Sequence, residues 1–214
     1  VAILVFLTAI ALVLSVGLLT PALVSLHNAQ KAGNDSKTVW QGETTQESVE
    51  EPAEKTVTLR AAGDNLIHGT IYRQAKERGG DGLRYDFAYA YKNVEKLVAD
   101  ADLSFINQET LVTDDAFEPS AYPTFNSPPE LGDHMLKIGF DLFGLANNHS
   151  YDKGSSGVLA SIKYWEKRKN ATAVGLYATE ADKEKITRVE KNGVKLALLA
   201  FSEHTNGIPT PKEG

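Results

Sequence analysis

Short apolar runs that each stop at a polar cluster set the strongest limit on how this chain folds. Val57, Leu59 and Ala61 alternate with Thr58 and Arg60 and lead into Gly63-Asp64-Asn65. Leu103 to Ile106 leads into Asn107-Gln108-Glu109, and Leu142 to Ala146 leads into Asn147-Asn148-His149, with Asp152 close behind. These runs have the length of strands rather than of helices. Between and after them the apolar residues fall at helical spacing. Phe87, Tyr91, Val94, Leu97 and Val98 predict a helix over 86–99. Leu131, Met135, Leu136 and Ile138 predict another, opened by Pro128-Pro129-Glu130 and stopped by Gly139. Val158, Leu159, Ile162 and Trp165 predict a third, running to about Lys169. Strand alternating with helix implies parallel strands and crossover connections, an α/β fold.

The last part of the chain follows a different rule. Ile186 to Glu190 and Val194 to Phe201 flank Lys191-Asn192-Gly193, and Asn-Gly between two β-prone runs predicts a hairpin. Its second strand runs into Ser202-Glu203-His204. Four strands thus end in polar clusters, and as neighbours in one sheet they would share one edge, which is where open α/β sheets bind ligands.

The chemistry available there is narrow. The 214 residues contain no cysteine, so thiolate metal sites, disulfides and cysteine nucleophiles are excluded. Carboxylate, amide and imidazole donors suit Mn, Fe, Zn or Mg, and one or two such divalent ions orient and polarise phosphoester oxygens. A formal net charge of -6 and the lack of a Lys/Arg cluster argue against nucleic acid as a partner. Against the site reading stands plain turn chemistry. Gly-Asp-Asn and Asn-Asn-His also fill loops, Asp152 has the position of a cap for the helix after Gly154, and His68 that of a helix start. Glu203 and His204 are polar residues at a strand end.

Residues 1–24 carry no charge and are long enough, as a helix, to cross a hydrocarbon layer of about 30 Å. They read as a transmembrane anchor, with a cleaved signal peptide as the rival. Residues 25–55 are polar and aperiodic, the composition of a disordered tether. The globular domain is expected over 56–214, with both ends of the chain looking cut.

Gly63-Asp64-Asn65, Asn107-Gln108-Glu109, the segment Gly139 to Gly154 with its Ala-Asn-Asn-His-x-x-Asp-x-Gly pattern, and the hairpin at Asn192-Gly193 together resemble the bacterial capsule synthesis protein CapA family, also called poly-γ-glutamate biosynthesis (PgsA-type) proteins. The resemblance covers about residues 57–210. It implies a metallophosphoesterase-like αββα sandwich of which this chain holds the first part. It also implies a single-pass membrane protein with its domain outside the cytoplasm, partnered by the membrane and by an anionic capsule polymer or its synthase complex. Under the resemblance Asp64, Glu109 and Asn148 are metal ligands and His149 is the catalytic group that protonates a leaving group or steadies a phosphate. His68, Asn107, Asn147, Asp152 and His204 are additional candidates. The phosphoesterase Asp-x-His motif is broken here by Leu66, and Gly-Asp-x-x-Asp is reduced to Asn107 and Glu109. The later His motifs are expected beyond Gly214, so these residues do not make a complete binuclear site. An export or assembly scaffold with a vestigial site, and a secreted metallophosphoesterase, are the alternatives.

Overall fold

A computed structural model describes residues 53–80 and 82–211. The anchor expected over 1–24 and most of the tether expected over 25–55 lie outside the described residues. No described helix is long and apolar enough to cross a membrane.

The described elements, in chain order, are β1 (Leu59–Asp64), α1 (Gly69–Arg78), α2 (Ala88–Tyr91), α3 (Glu95–Ala99), β2 (Leu103–Asn107), α4 (Pro129–Lys137), β3 (Leu142–Gly144), α5 (Gly154–Glu166), β4 (Thr172–Val174), α6 (Glu180–Lys183), β5 (Thr187–Lys191) and β6 (Val194–Leu198). The expected parallel sheet is present, with β1, β2, β3 and β4 side by side in sequence order. Its register lines up Asp64, Asn107, Gly144 and Val174 across the four strands, so the carboxyl ends form one row. A bulge between Ala62 and Asp64 shifts β1 by a residue just before that row.

Ile106 and Phe143, paired across β2 and β3, bury into a core with Val98 of α3, Leu131 and Met135 of α4, and Tyr164 and Trp165 of α5. Phe143 meets Trp165 at 4.3 Å between ring centroids, and Tyr164 stands edge-on to Trp165 at 4.9 Å. Tyr164 also donates its hydroxyl to the Pro129 carbonyl at 2.9 Å, which anchors α5 to the first turn of α4. Gly132 is what allows that approach, because a Cβ there would stand 2.2 Å from the Tyr164 hydroxyl.

Several expectations are corrected. The helix expected over 86–99 is two short ones, α2 and α3, separated at Asn93 and the β-branched Val94, both poor helix residues. The helix start read at His68 is present, as the N-cap of α1, whereas the extent of α1 and the strand β4 have no signal in the sequence. Only Gly69 and Ala75 of α1 are buried, which leaves too thin an apolar stripe to detect. At three residues β4 is too short to show an alternation. Strand β3 stops at Gly144 and β6 at Leu198, short of Ala146 and Phe201. The hairpin forms as expected, with Asn192 and Gly193 both at positive φ, but it is a separate two-stranded sheet. The fourth polar cluster therefore does not lie on the row, and His204 is exposed.

His134 of α4, which reads as a surface residue in the sequence, is half-buried against Tyr91 at 5.6 Å between rings, and its Nε2 is buried with no partner. Burial, with help from Lys137, lowers its pKa below the ordinary 6.5, while Asp86 and Glu95 oppose. The unfolded chain thus takes up the proton first. Stability from the neutral ring is complete above pH 6.5 and is lost as the pH falls from there towards the folded value. Urea midpoints measured across this window should fall with pH in the parent chain and fall less steeply in His134→Gln; parallel slopes would contradict this.

Candidate functional site

The row of strand ends holds a layered set of polar side chains. In front, the Asn107 amide of β2 donates to Asp64 Oδ1 of β1 at 2.7 Å. Asp64 is exposed, whereas Glu109, just beyond β2, is buried. Burial first, and the neighbouring Asp64 carboxylate second, raise the Glu109 pKa, and His149 partly opposes them. Glu109 Oε2 is buried without a partner.

Behind this pair runs a buried chain of amides and hydroxyls. Tyr91 donates to Asn65 Oδ1 at 2.6 Å, Asn65 donates to Gln108 Oε1 at 2.7 Å, and Gln108 donates to the Thr110 carbonyl at 2.8 Å. Burial pushes the Tyr91 phenol well up, so it remains a neutral donor. The chain ties α2 to the ends of β1 and β2, and every link is matched donor to acceptor.

The loop after β3 is folded by its own side chains. The Asn147 backbone N–H donates to Ser150 Oγ at 2.8 Å, and Asn147 Oδ1 accepts the His149 N–H at 2.9 Å. Ser150 Oγ donates to the Leu145 carbonyl at 2.7 Å. Asn147 is thereby committed to the turn, while Asn148 is half-buried within it. The result aims the His149 ring at the row, with Nε2 3.9 Å from Glu109 Oε1.

On the other side of the ring His149 Nδ1 meets Asp152 Oδ2 at 2.8 Å. The same oxygen accepts the Phe125 N–H at 2.6 Å, and Oδ1 accepts the Asn206 amide at 3.1 Å. Asp152 is therefore an acceptor in every contact, which places a ring proton on Nδ1 and turns Nε2 towards the carboxylates. This corrects the cap reading of Asp152. Helix α5 is capped by Lys153, without a side-chain bond, and Asp152 is buried behind the histidine. Phe125 closes the site edge-on to His149 at 4.7 Å, with His68 edge-on to Phe125 at 5.0 Å. His68 precedes α1 at its N-cap position and is exposed.

The structure thus brings together Asp64, Asn107, Glu109, Asn147, His149 and Asp152, keeps Asn148 half-buried in the same loop, and leaves His68 and His204 exposed. Phe125 and Asn206 were missed. The Asn206-Gly207 pair is a turn signal, with both residues at positive φ, but nothing in it points to Asp152.

Among the described residues no group of three or more His, Asp or Glu side chains is placed to hold a metal ion. Asp64 and the unpartnered Glu109 oxygen suit one side of a cation, and the described residues do not close a shell around it.

Carboxylate and imidazole groups at the carboxyl ends of adjacent parallel strands define an α/β protein with its candidate site at the sheet edge. Residues 58–214 match the bacterial capsule synthesis protein PGA_cap family, and the chain belongs to it. It is 30% identical over 107 residues to the uncharacterized protein y4sH of Sinorhizobium fredii (strain NBRC 101917 / NGR234), an alignment that takes in 47% of this chain and 21% of that protein. It is also 34% identical over 74 residues to the uncharacterized protein y4uA of the same organism, covering 32% of this chain and 16% of that protein. The match spans about a fifth or less of either relative.

Proposed function

We propose that this chain acts in the biosynthesis or export of an anionic capsule polymer, poly-γ-glutamate or a similar one, with His149 as its proton-transfer group. Capsule synthesis is the role of the family to which it belongs. The observation that carries the catalytic part is the buried Asp152–His149 pair beside Glu109 at the sheet edge. A neutral imidazole held through Nδ1 presents a basic Nε2, suited to taking a proton from an attacking water and returning it to a leaving oxygen or nitrogen. Phe125 limits water on one side of the ring. Hydrolysis at this edge is the reaction class. Asp64, Glu109 and Asn148 are the proposed ligands for a divalent ion, Mn, Fe, Zn or Mg, which would polarise the bond under attack.

The domain belongs, in this proposal, to a metallophosphoesterase-like αββα sandwich. Sheet β1–β4 is one layer, and the separate β5–β6 hairpin is the beginning of the second. Residues 1–24 anchor it in the cell membrane, residues 25–55 tether it and the domain from 56 onwards works outside the cytoplasm. Its partners are the membrane and the capsule polymer or its synthase complex, with no role for nucleic acid.

Replacing His149 or Asp64 by Ala in the native host, at matched protein level, should remove capsule polymer from the cell surface. Wild-type polymer in both variants would overturn the catalytic reading. One contact favours a second reading, an export or assembly scaffold: Asn107 already occupies Asp64 Oδ1, an oxygen that a cation would otherwise take. Stoichiometric metal in the purified protein together with turnover of a phosphoester or γ-glutamyl bond would exclude it.

A further inference from the structure

We infer that Asn206, in the turn beyond the hairpin, is a positioning residue for His149, acting through Asp152. The inference rests on the proposed role of His149 as the proton-transfer group. The turn closes on itself, with Thr205 Oγ1 donating to the Ile208 carbonyl at 2.8 Å and the Ile208 N–H donating to the Thr205 carbonyl at 2.8 Å. Asn206 sits at φ 53° in that turn, a conformation Asn tolerates better than most residues.

The NH2 group of its side-chain amide is spent on the site. Nδ2 donates to the Pro123 carbonyl at 2.8 Å and to Asp152 Oδ1 at 3.1 Å. Both partners are acceptors, so only the NH2 end of the amide fits this position, and each of its two protons has a use. The Pro123 bond fixes the direction from which the second proton reaches the carboxylate. A carboxylate turns easily about its last side-chain torsion. Oδ2 is held by the Phe125 N–H and the His149 ring, and the contact at Oδ1 fixes the second oxygen against this rotation. Asn206 also ties the 123–125 segment, which carries the Phe125 ring against His149, to the loop that carries Asp152. Ring tautomer and ring orientation therefore both depend on an amide 54 residues away from Asp152.

Ring-nitrogen NMR of the full chain labelled with 15N tests this directly, the His149 signals being assigned by their loss in His149→Ala. In the parent protein the neutral ring should be the Nδ1–H tautomer. Asn206→Gly keeps the left-handed backbone and removes only the amide. It should show a mixture of the two tautomers, with capsule polymer in the host reduced on the order of tenfold. Asn206→Asp keeps the size of the side chain and replaces the donor by an acceptor, so it should disturb the same signals and serves where the Gly variant does not fold. An unchanged Nδ1–H spectrum in the folded variant would overturn the inference. Normal polymer in His149→Ala would instead remove the reading beneath it, whatever the ring-nitrogen spectra show.

Discussion

Asp152→Asn is expected to abolish capsule polymer while leaving the chain folded. The carboxylate accepts from three donors, the Phe125 N–H and the His149 ring on Oδ2 and the Asn206 amide on Oδ1. An asparagine has one acceptor end and one donor end, so neither orientation satisfies this arrangement. With its oxygen towards His149 and Phe125, its NH2 faces the NH2 of Asn206. With its NH2 towards His149, it opposes the Phe125 N–H and drives the ring to the other tautomer, turning Nε2 into a donor. Loss of the correct tautomer lowers proton-transfer catalysis by about three to four orders of magnitude in a comparable Asp–His pair. The mismatched donors add a destabilisation of roughly 1–3 kcal/mol. Polymer on the cell surface and a urea melt of the purified variant read the two effects separately. Full polymer from a stably folded Asp152→Asn protein would show that His149 does not work through this carboxylate.

The largest effect on stability is expected at Phe143. Its side chain is fully buried in the core, its ring tilted against that of Trp165 at 4.3 Å between centroids, and it stands on the short strand β3, directly before the loop that presents His149. Phe143→Ala leaves a cavity between sheet and helix and should cost about 3–5 kcal/mol. Total stabilities of single domains are on the order of 5–15 kcal/mol, so the variant would approach the point of unfolding at growth temperature. Phe143→Leu, which keeps most of the volume, should cost less than half as much. Thermal melts of the two variants test the order, and similar losses in both would mean that the site collapses around the gap rather than retaining a cavity.

What the sequence reveals of the fold depends on the range over which each feature is determined. The ends of β1, β2 and β3 are readable because an apolar run and the polar cluster that follows it are adjacent in the chain, and the parallel register then carries Asp64 and Asn107 onto one row. The hairpin is readable from Asn192-Gly193 for the same local reason. Its separation from the main sheet is not, since strand partnership is decided by packing between segments far apart. Asp152 shows the limit most clearly. Its position before α5 is that of a cap, and what makes it a partner of His149 is the acceptor demand of Phe125 and Asn206, 27 and 54 residues away. Likewise the polar face of α1 hides its helical period, and the break at Val94 is settled by a choice between two weak local preferences.

The hydrogen bonds that assemble the site have a consequence for the order of folding. Asp64 meets Asn107 and Asn65 meets Gln108 over separations of 43 residues, and Asp152 meets Asn206 over 54. Closing such loops costs conformational entropy before any contact returns it, so these bonds form only after the strands beneath them have docked. The bonds that shape the His149 loop itself, from Asn147 to Ser150 and from His149 to Asp152, span three residues and need no such closure. The contact between Asp152 and Asn206 spans the longest of these loops, so the carboxylate behind His149 gains its third donor only once the 205–208 turn has been synthesised and has docked.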